Sequence, residues 1–183
     1  AMSAGELLQA DMSQRLSVSY DDYLEVVHSK TALLLGSAAE AGARSAGASE
    51  EACARMKRFG ELVGVAFQIR DDILDYSAAD VTGKPTCGDI RERKMTLPLI
   101  EALSSVSKSD RDRILGHLMR AAHDSASLDA VRSFVIEQGG LDKASDKMHT
   151  LADEAKALLG CYEDSPVKRS LALFADYAVS RDK

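Results

Sequence analysis

The sequence of 183 residues has no tryptophan, only three prolines and only three cysteines, and these scarcities exclude several classes of protein. The cysteines are widely spaced, odd in number and form no Cys-x-x-Cys pair: Cys53, Cys87 and Cys161. This pattern excludes a disulfide scaffold and a structural zinc site, and it indicates a reducing, cytoplasmic environment. So few prolines leave room for several long helices.

Positive charge and long apolar runs are also scarce. The net charge of −6 and the pI of about 5.2 argue against nucleic-acid binding. No apolar run approaches the ~20 residues that a membrane-spanning helix needs. No stretch alternates apolar and polar residues strongly enough to indicate a sheet, and no internal boundary is visible. We therefore expect residues 1–183 to form a single all-helical domain.

Apolar periodicity predicts helices near residues 3–15, 20–42, 49–76, 93–104, 108–122, 127–139, 141–159 and 165–181. Ser19-x-x-Asp22 and Ser49 are predicted helix starts, Gly139 marks a break, and Pro98 is expected in a first helical turn. Residues beyond about 105 are predicted to be scaffold. The apolar residues there that we expect in the core are Leu115, Leu118, Met119, Phe134, Val135, Leu158, Leu171 and Phe174.

A group of carboxylates interrupts one of the apolar helical segments. Asp71 and Asp75 lie four residues apart on one helix face, and Asp72 lies three residues before Asp75. Like charges at these spacings repel each other, which indicates that a cation neutralises them. Oxygen ligands with no nearby Cys or His favour Mg²⁺ over zinc. Because Mg²⁺ commonly binds one or two carboxylates together with substrate phosphates, we predict a phosphate-bearing substrate.

Three lysines lie near this acidic segment in the sequence. A simple solvated acidic face is the alternative, but apolar residues flank the carboxylates on both sides. A loop with Gly83 and Lys84 follows, and Lys94 lies just beyond it. Upstream, Lys30 and Thr31 interrupt an apolar segment, where a lysine either reaches solvent or answers a buried negative charge. A flexible ammonium suits the mobile oxygens of a diphosphate.

These motifs together resemble the C-terminal half of the trans-polyprenyl diphosphate synthases. The matching segments, in chain order, are Gly5-Glu6-Leu7-Leu8-Gln9, Ser29-Lys30-Thr31-Ala32, Phe67-Gln68, Asp71-Asp72-x-x-Asp75, Gly83-Lys84, Gly88-Asp89 and Lys94-x-Thr96-Leu97-Pro98. The resemblance implies an all-α, isoprenoid synthase-type helical bundle. It also implies a prenyltransferase that condenses isopentenyl diphosphate with an allylic diphosphate, after Mg²⁺-dependent ionisation, and so elongates a trans-polyprenyl diphosphate.

The resemblance also implies roles for the site residues. Asp71 would be the main Mg²⁺ ligand, with Asp72 and Asp75 acting through direct or water-mediated contacts. The lysines that would bind diphosphate oxygens and stabilise the leaving group are Lys30, Lys84 and Lys94. Beside the allyl cation would lie Thr31 and Gln68, and Phe67 would line the isopentenyl side. Such a cation needs a dry apolar cavity, because water would otherwise capture it.

The family uses two aspartate-rich motifs on facing helices, whereas no second Asp-Asp-x-x-Asp occurs in this sequence. We therefore expect the 183 residues to be the C-terminal half of a synthase and to be inactive alone. The segment from Met2 to Leu35 includes helices that pair across a homodimer in the family, so a homodimer is expected. The Gly5-Glu6-x-x-Gln9 pattern is closer to the octaprenyl-type, medium- and long-chain synthases than to the farnesyl type.

Three other functions are compatible with parts of the sequence. A terpene cyclase also ionises an allylic diphosphate with metal, although the lysine set favours chain elongation. A non-catalytic helical partner subunit is possible for a truncated chain, although the intact acidic segment argues against a degenerate one. Finally, Glu25-x-x-His28 has the spacing of a di-iron ligand pair, but the required second pair is only approximated by Asp146-x-x-His149.

Overall fold

The computed structural model describes residues 18–77 and 87–181, and within these ranges it contains helices and no strands. The described helices are α1 Tyr20–Val27, α2 Leu33–Ser45, α3 Glu50–Leu74, α4 Gly88–Arg91, α5 Leu97–Leu103, α6 Lys108–Arg120, α7 Ser125–Glu137, α8 Gly140–Leu158 and α9 Pro166–Ser180. A π-helical turn, His28–Ala32, joins α1 to α2. The expected all-α fold is confirmed, while the predicted helix at 3–15 and the Gly5–Gln9 pattern lie outside the described residues.

The two helix starts predicted from capping residues are confirmed. Ser19 and Asp22 form a capping box, in which the Asp22 N–H donates to the Ser19 hydroxyl at 3.1 Å. Ser49 accepts a hydrogen bond from the N–H of Ala52 and caps α3. Gly139 adopts a φ of +66°, which ends α7 and starts α8 in a conformation that glycine adopts without strain.

The predicted helix at 93–104 is wrong at its N-terminal end. The chain instead forms the one-turn helix α4, passes through Arg93 at a φ of +59°, and begins α5 at Leu97, with Pro98 in the first turn as predicted. The physical reason is a long-range contact. The carboxylate of Asp75 accepts the N–H groups of Gly88 and Asp89 and so caps α4 from outside its own segment.

The long helix α3 is the centre of the packing. It packs against α2, α8 and α9 and against the π-helical turn. Two glycines of α3 allow the closest of these approaches. A Cβ at Gly60 would lie 2.5 Å from the carbonyl oxygen of Leu35, and a Cβ at Gly64 would lie 2.7 Å from the Cα of Ala32. The backbones of α3 and of residues 30–36 are therefore in direct contact.

The core consists of a large cluster built mainly around α5, α7 and α8, and of a smaller one where α3, α8 and α9 meet. Of the predicted core residues, Leu118, Phe134 and Val135 are buried, and three others, Leu115, Leu158 and Leu171, are partly buried. Two core predictions are wrong, because Met119 and Phe174 are 41% and 45% exposed. None of the described helices is both long enough and apolar enough to cross a lipid bilayer.

Candidate active site

Asp71 lies near the C-terminal end of α3, and its side chain is 44% exposed. It forms an ion pair with Arg181, the residue that follows α9. The exposed carboxylate is therefore accessible from solvent on one side and held by a guanidinium on the other. Asp71 is therefore a partly exposed carboxylate that already has an intramolecular cation in contact.

Asp72 points in the opposite direction, into the core, and is only 3% exposed. Its Oδ2 accepts a hydrogen bond of 2.8 Å from the Tyr23 hydroxyl and one of 3.4 Å from the Leu97 N–H. Its Oδ1 accepts a bond of 3.1 Å from the Gln68 side-chain amide. Burial raises the pKa of Asp72 to about 7, and the hydrogen bonds from Tyr23 and Gln68 oppose that increase.

Asp75, the last of the predicted ligands, holds α4. Its two oxygens accept the N–H groups of Gly88 and Asp89 at 2.9 and 3.0 Å. Burial and the nearby charge of Asp89 raise the pKa of Asp75, and the two backbone hydrogen bonds act in the opposite direction. The carboxylate thus fixes the segment that leads to Lys94.

The three carboxylates do not converge on one point. Within residues 18–77 and 87–181 there is no group of three His, Cys, Asp or Glu side chains that could hold a metal ion. That donor set fits Mg²⁺ delivered together with a diphosphate, because Mg²⁺ needs only one or two carboxylates when phosphates and waters supply the other ligands. Asp71 is the carboxylate of the three that would be available to such an ion, since its side chain is 44% exposed. These described residues do not form the preformed ligand set that a softer metal needs.

An apolar groove of about 320 Å³ lies one helical turn from Asp71, between the π-helical turn and the end of α9. Its lining residues are Lys30, Thr31, Leu34, Leu35, Phe67, Phe174, Tyr177 and Ala178. Three of the predicted site residues therefore share one surface. Gln68 adjoins them, because its side-chain oxygen accepts a hydrogen bond of 3.2 Å from the Thr31 hydroxyl.

Lys94 lies apart from that groove lining. Its ammonium contacts Asp89 at 2.9 Å and Glu92 at 2.7 Å. Burial lowers the pKa of Lys94, but the hydrogen bonds with Glu92 and Asp89 more than offset this, so the net pKa is raised and the side chain stays charged. The pKa of Glu92 is lowered by Lys94 and, more weakly, by Lys30. Lys84 lies outside the described residues.

One residue with a direct contact to the predicted site, Tyr23, was missed by sequence reasoning, and for another, Arg181, the sequence did not indicate the partner. Tyr23 bonds to Asp72 across 49 positions of sequence, and the signal for it was a tyrosine on the same helix face as Val27 and Lys30. Disorder is the usual expectation for a basic chain end, but Arg181 is only 9% exposed at its side chain. The contact between Arg181 and Asp71 spans 110 positions, and no local pattern indicates it.

Near the C-terminal end of the central helix α3 lie the acidic turn (Asp71, Asp72 and Asp75) and an apolar groove with Lys30 in its lining. Together with the helical architecture, these features define an isoprenoid synthase-type fold. Residues 1–135 match the polyprenyl synthetase family. The chain belongs to that family, as the motifs predicted.

Two synthases from different organisms are among the known proteins similar to this chain. The short chain isoprenyl diphosphate synthase of Methanothermobacter thermautotrophicus is 34% identical over 183 residues, which cover 97% of this chain and 54% of the relative. The nonaprenyl diphosphate synthase of Mycobacterium tuberculosis is 37% identical over 164 residues, covering 89% and 49%. One of these relatives is named for a short product and the other for a long one, so the product length of this chain stays a prediction.

A solved structure gives the same result. The polyprenyl synthase of Caulobacter crescentus CB15, complexed with calcium and isoprenyl diphosphate, superposes with a TM-score of 0.87 at 36% identity. The match covers 100% of this chain and 56% of that one. The chain therefore spans about half the length of the relatives it matches.

Proposed function

We propose that this chain forms half of the active site of a trans-polyprenyl diphosphate synthase, which condenses isopentenyl diphosphate with an allylic diphosphate. The observation that carries the proposal is the shared groove. Lys30, Thr31 and Phe67 line it together, one helical turn from the exposed carboxylate of Asp71. Positive charge, a hydroxyl dipole and apolar walls are the groups that an allylic diphosphate requires.

The charged residues act on the diphosphate in this proposal. Asp71 holds Mg²⁺, which would neutralise the diphosphate and stabilise the charge that develops as it leaves. Asp72 and Asp75 already accept protein hydrogen bonds, so we assign them water-mediated or orienting contributions. Lys30 places an ammonium at the groove. We also propose that Lys84 binds the diphosphate, and that Lys94 does so by exchanging its carboxylate partners for phosphate oxygens.

The uncharged residues act on the allylic group. The Thr31 hydroxyl and the Gln68 amide present dipoles beside the groove, and such dipoles stabilise a cation without providing a nucleophile as strong as water. Phe67 contributes an aromatic wall of the groove, on the side that we assign to isopentenyl diphosphate. The apolar lining excludes water, which would capture the cation before the new carbon–carbon bond forms.

The relatives support this proposal in two ways. Those named above are isoprenyl or polyprenyl diphosphate synthases, which supports prenyl transfer to isopentenyl diphosphate as the reaction class. The Caulobacter crescentus structure contains a divalent cation and a diphosphate, the two components that Asp71 and the lysines are proposed to bind. Calcium and Mg²⁺ share a preference for oxygen ligands.

The proposal extends to the state of the whole protein. We propose that residues 1–183 form one domain that binds a metal–diphosphate complex but does not turn it over, because the sequence has a single Asp-Asp-x-x-Asp. We further propose a homodimeric synthase in the cytoplasm. The homodimer rests on the family resemblance of residues 2–35, and three cysteines without disulfides support a reducing compartment.

Calorimetric titration tests the binding part of the proposal. A thiolodiphosphate analogue of an allylic diphosphate is titrated into the chain with Mg²⁺ or with a chelator, and into the variants Asp71→Asn and Asp112→Asn. We expect Mg²⁺-dependent binding that Asp71→Asn weakens at least about tenfold, since it removes the one exposed ligand charge. The exposed Asp112 on α6 is the matched control and should have no effect. Equal binding with and without Mg²⁺, or no binding, contradicts the proposal.

Product analysis separates the alternative functions. The chain is joined to the N-terminal part of the Caulobacter crescentus relative and supplied with isopentenyl and allylic diphosphates. A longer linear diphosphate is the expected product. A cyclic hydrocarbon from the allylic diphosphate alone would instead identify a terpene cyclase, and a folded, inactive chimera would favour the non-catalytic subunit.

A further inference from the structure

Arg181, which follows α9, contacts three residues of α3. Its guanidinium pairs with the Asp71 carboxylate and donates a hydrogen bond of 3.3 Å to the carbonyl of Phe67. The same group lies 3.8 Å from the centre of the Phe67 ring, which is a cation–π distance. The Arg70 side chain donates a hydrogen bond of 2.9 Å to the carbonyl of Arg181. The end of α9 is thus fastened to the site face of α3.

The placement has an electrostatic consequence. Asp71 is the exposed carboxylate that we assign to Mg²⁺, and the guanidinium contacts its Oδ1 directly. A divalent cation on that oxygen would lie within a few ångströms of the guanidinium, and like charges at such a distance repel strongly where solvent is partly excluded. Arg181 and Mg²⁺ therefore compete for the same oxygen.

We propose that Arg181 is an intramolecular counter-cation of Asp71, which Mg²⁺ bound to a diphosphate displaces from the carboxylate, so that filling the site removes one of the contacts that hold the end of α9. This inference rests on the proposed function, in which Asp71 is a metal ligand. The contacts to Phe67 and to Arg70 do not involve that carboxylate, so they keep the guanidinium next to the site after the exchange.

A purely structural ion pair makes the opposite prediction about metal affinity. If Arg181 only held Asp71 in place, removing it would leave the carboxylate less ordered and would weaken binding of the metal. If it competes with the metal, removing it makes the carboxylate available and tightens binding. The sign of the change in affinity therefore distinguishes the two roles.

The test uses Mg²⁺ with inorganic pyrophosphate as the probe, titrated into the whole chain by calorimetry. The variant Arg181→Gln removes the charge and keeps a planar amide, and we expect it to bind the probe about 3- to 10-fold more tightly. The matched control is Arg169→Gln on the same helix, because Arg169 pairs with Asp164 at the surface and should not affect binding. Circular dichroism establishes that each variant is folded. If Arg181→Gln is not, Arg181→Lys, which keeps the charge without the planar fork, should show a smaller gain.

Hydrogen exchange gives a second readout that does not depend on affinity. The Arg181 amide donates to the carbonyl of Tyr177 at 3.2 Å, and its protection reports whether the end of α9 is held. Probe binding should accelerate exchange at residues 178–181 in the unaltered chain but not in Arg181→Gln. Unchanged or weaker binding by folded Arg181→Gln overturns the inference alone, provided that the unaltered chain binds in an Asp71-dependent way. If the unaltered chain does not bind, or binds independently of Asp71, the proposed function fails as well.

Discussion

The hydroxyl of Tyr23 donates a 2.8 Å hydrogen bond to the buried carboxylate of Asp72 and so links α1 to the acidic turn of α3. The link continues through Gln68, whose amide donates to Asp72 and whose oxygen accepts from Thr31. One chain of hydrogen bonds therefore orients the two uncharged polar groups that we place beside the allyl cation. Asp72 serves as the hub of this chain.

Tyr23→Phe should destabilise the protein by about 1–3 kcal/mol, because a buried carboxyl loses a hydrogen-bond partner and keeps its cost of burial. The pKa of Asp72 should rise further, since the Tyr23 bond lowers it. Urea unfolding at pH 7 measures the change in stability. Tyr177→Phe is the matched control, because Tyr177 is 61% exposed, and it should change stability by less than about 0.5 kcal/mol. Equal effects of the two variants would contradict the assignment.

Asp72 should make the stability depend on pH. Its ordinary pKa is 3.8 and burial raises it to about 7 in the folded chain, so the native state binds the proton more tightly than the unfolded state. The resulting stabilisation is complete below about pH 4 and is lost as the pH rises through 7. A difference of about 3 in pKa corresponds to at most about 4 kcal/mol.

The measurement is urea unfolding from pH 4 to pH 8 for the unaltered chain and for Asp72→Asn. The variant carries no titrating group at this position, so the difference between the two curves should shrink towards low pH. Asp112→Asn should follow the unaltered chain throughout. Parallel curves for the unaltered chain and Asp72→Asn would show that the carboxyl does not titrate in this window.

Gly64→Ala should destabilise the chain by about 1–3 kcal/mol, because the new methyl group would meet the Cα of Ala32 at 2.7 Å and force α3 from the π-helical turn. Gly42→Ala is the opposite case. Gly42 is an exposed residue of α2 with open space around it, so alanine should stabilise the helix by about 0.5–1 kcal/mol. Thermal unfolding of both variants measures the two signs, and a stabilising Gly64→Ala would refute the close contact.

Asp75→Asn should loosen α4 without unfolding the protein. An amide has only one acceptor oxygen, so one of the N–H groups of Gly88 and Asp89 loses its partner, at a cost of about 1 kcal/mol. Hydrogen exchange at residues 88–92 should accelerate, while exchange in α8 should not change. Because α4 carries Asp89, which pairs with Lys94, the variant should also weaken binding of the Mg²⁺–diphosphate complex, to which we assign contributions from both Asp75 and Lys94.

Local signals in the sequence were sufficient for most of the helices. The caps at Ser19 and Ser49 and the break at Gly139 act within a few residues, so periodicity and capping located them. The acidic turn was identified for the same reason, since its three carboxylates lie on one helix. No local pattern indicated that Lys30, Thr31 and Phe67 line one groove, and the family resemblance implied only that each lies at the active site.

Contacts between distant segments decided the features that the sequence did not indicate. The directions of the three carboxylates depend on different partners: Tyr23 for Asp72, the α4 backbone for Asp75, and Arg181 for Asp71. Each partner lies 13 or more positions away in the chain. Spacing along a helix specifies which face a side chain is on, but not which distant donor it meets.

The glycine contacts of α3 bear on how the groove could be redesigned. Gly60 and Gly64 bring the main chain of α3 against Leu35 and Ala32, so direct backbone contact sets the spacing between the helix that carries Phe67 and the segment that carries Leu35. Other lining side chains of the groove are less constrained, since Leu34, Phe174 and Tyr177 are 60%, 45% and 61% exposed and little of the core rests on them. An engineer who wants room for a longer or bulkier prenyl group should therefore vary these three positions and leave the two glycines unchanged.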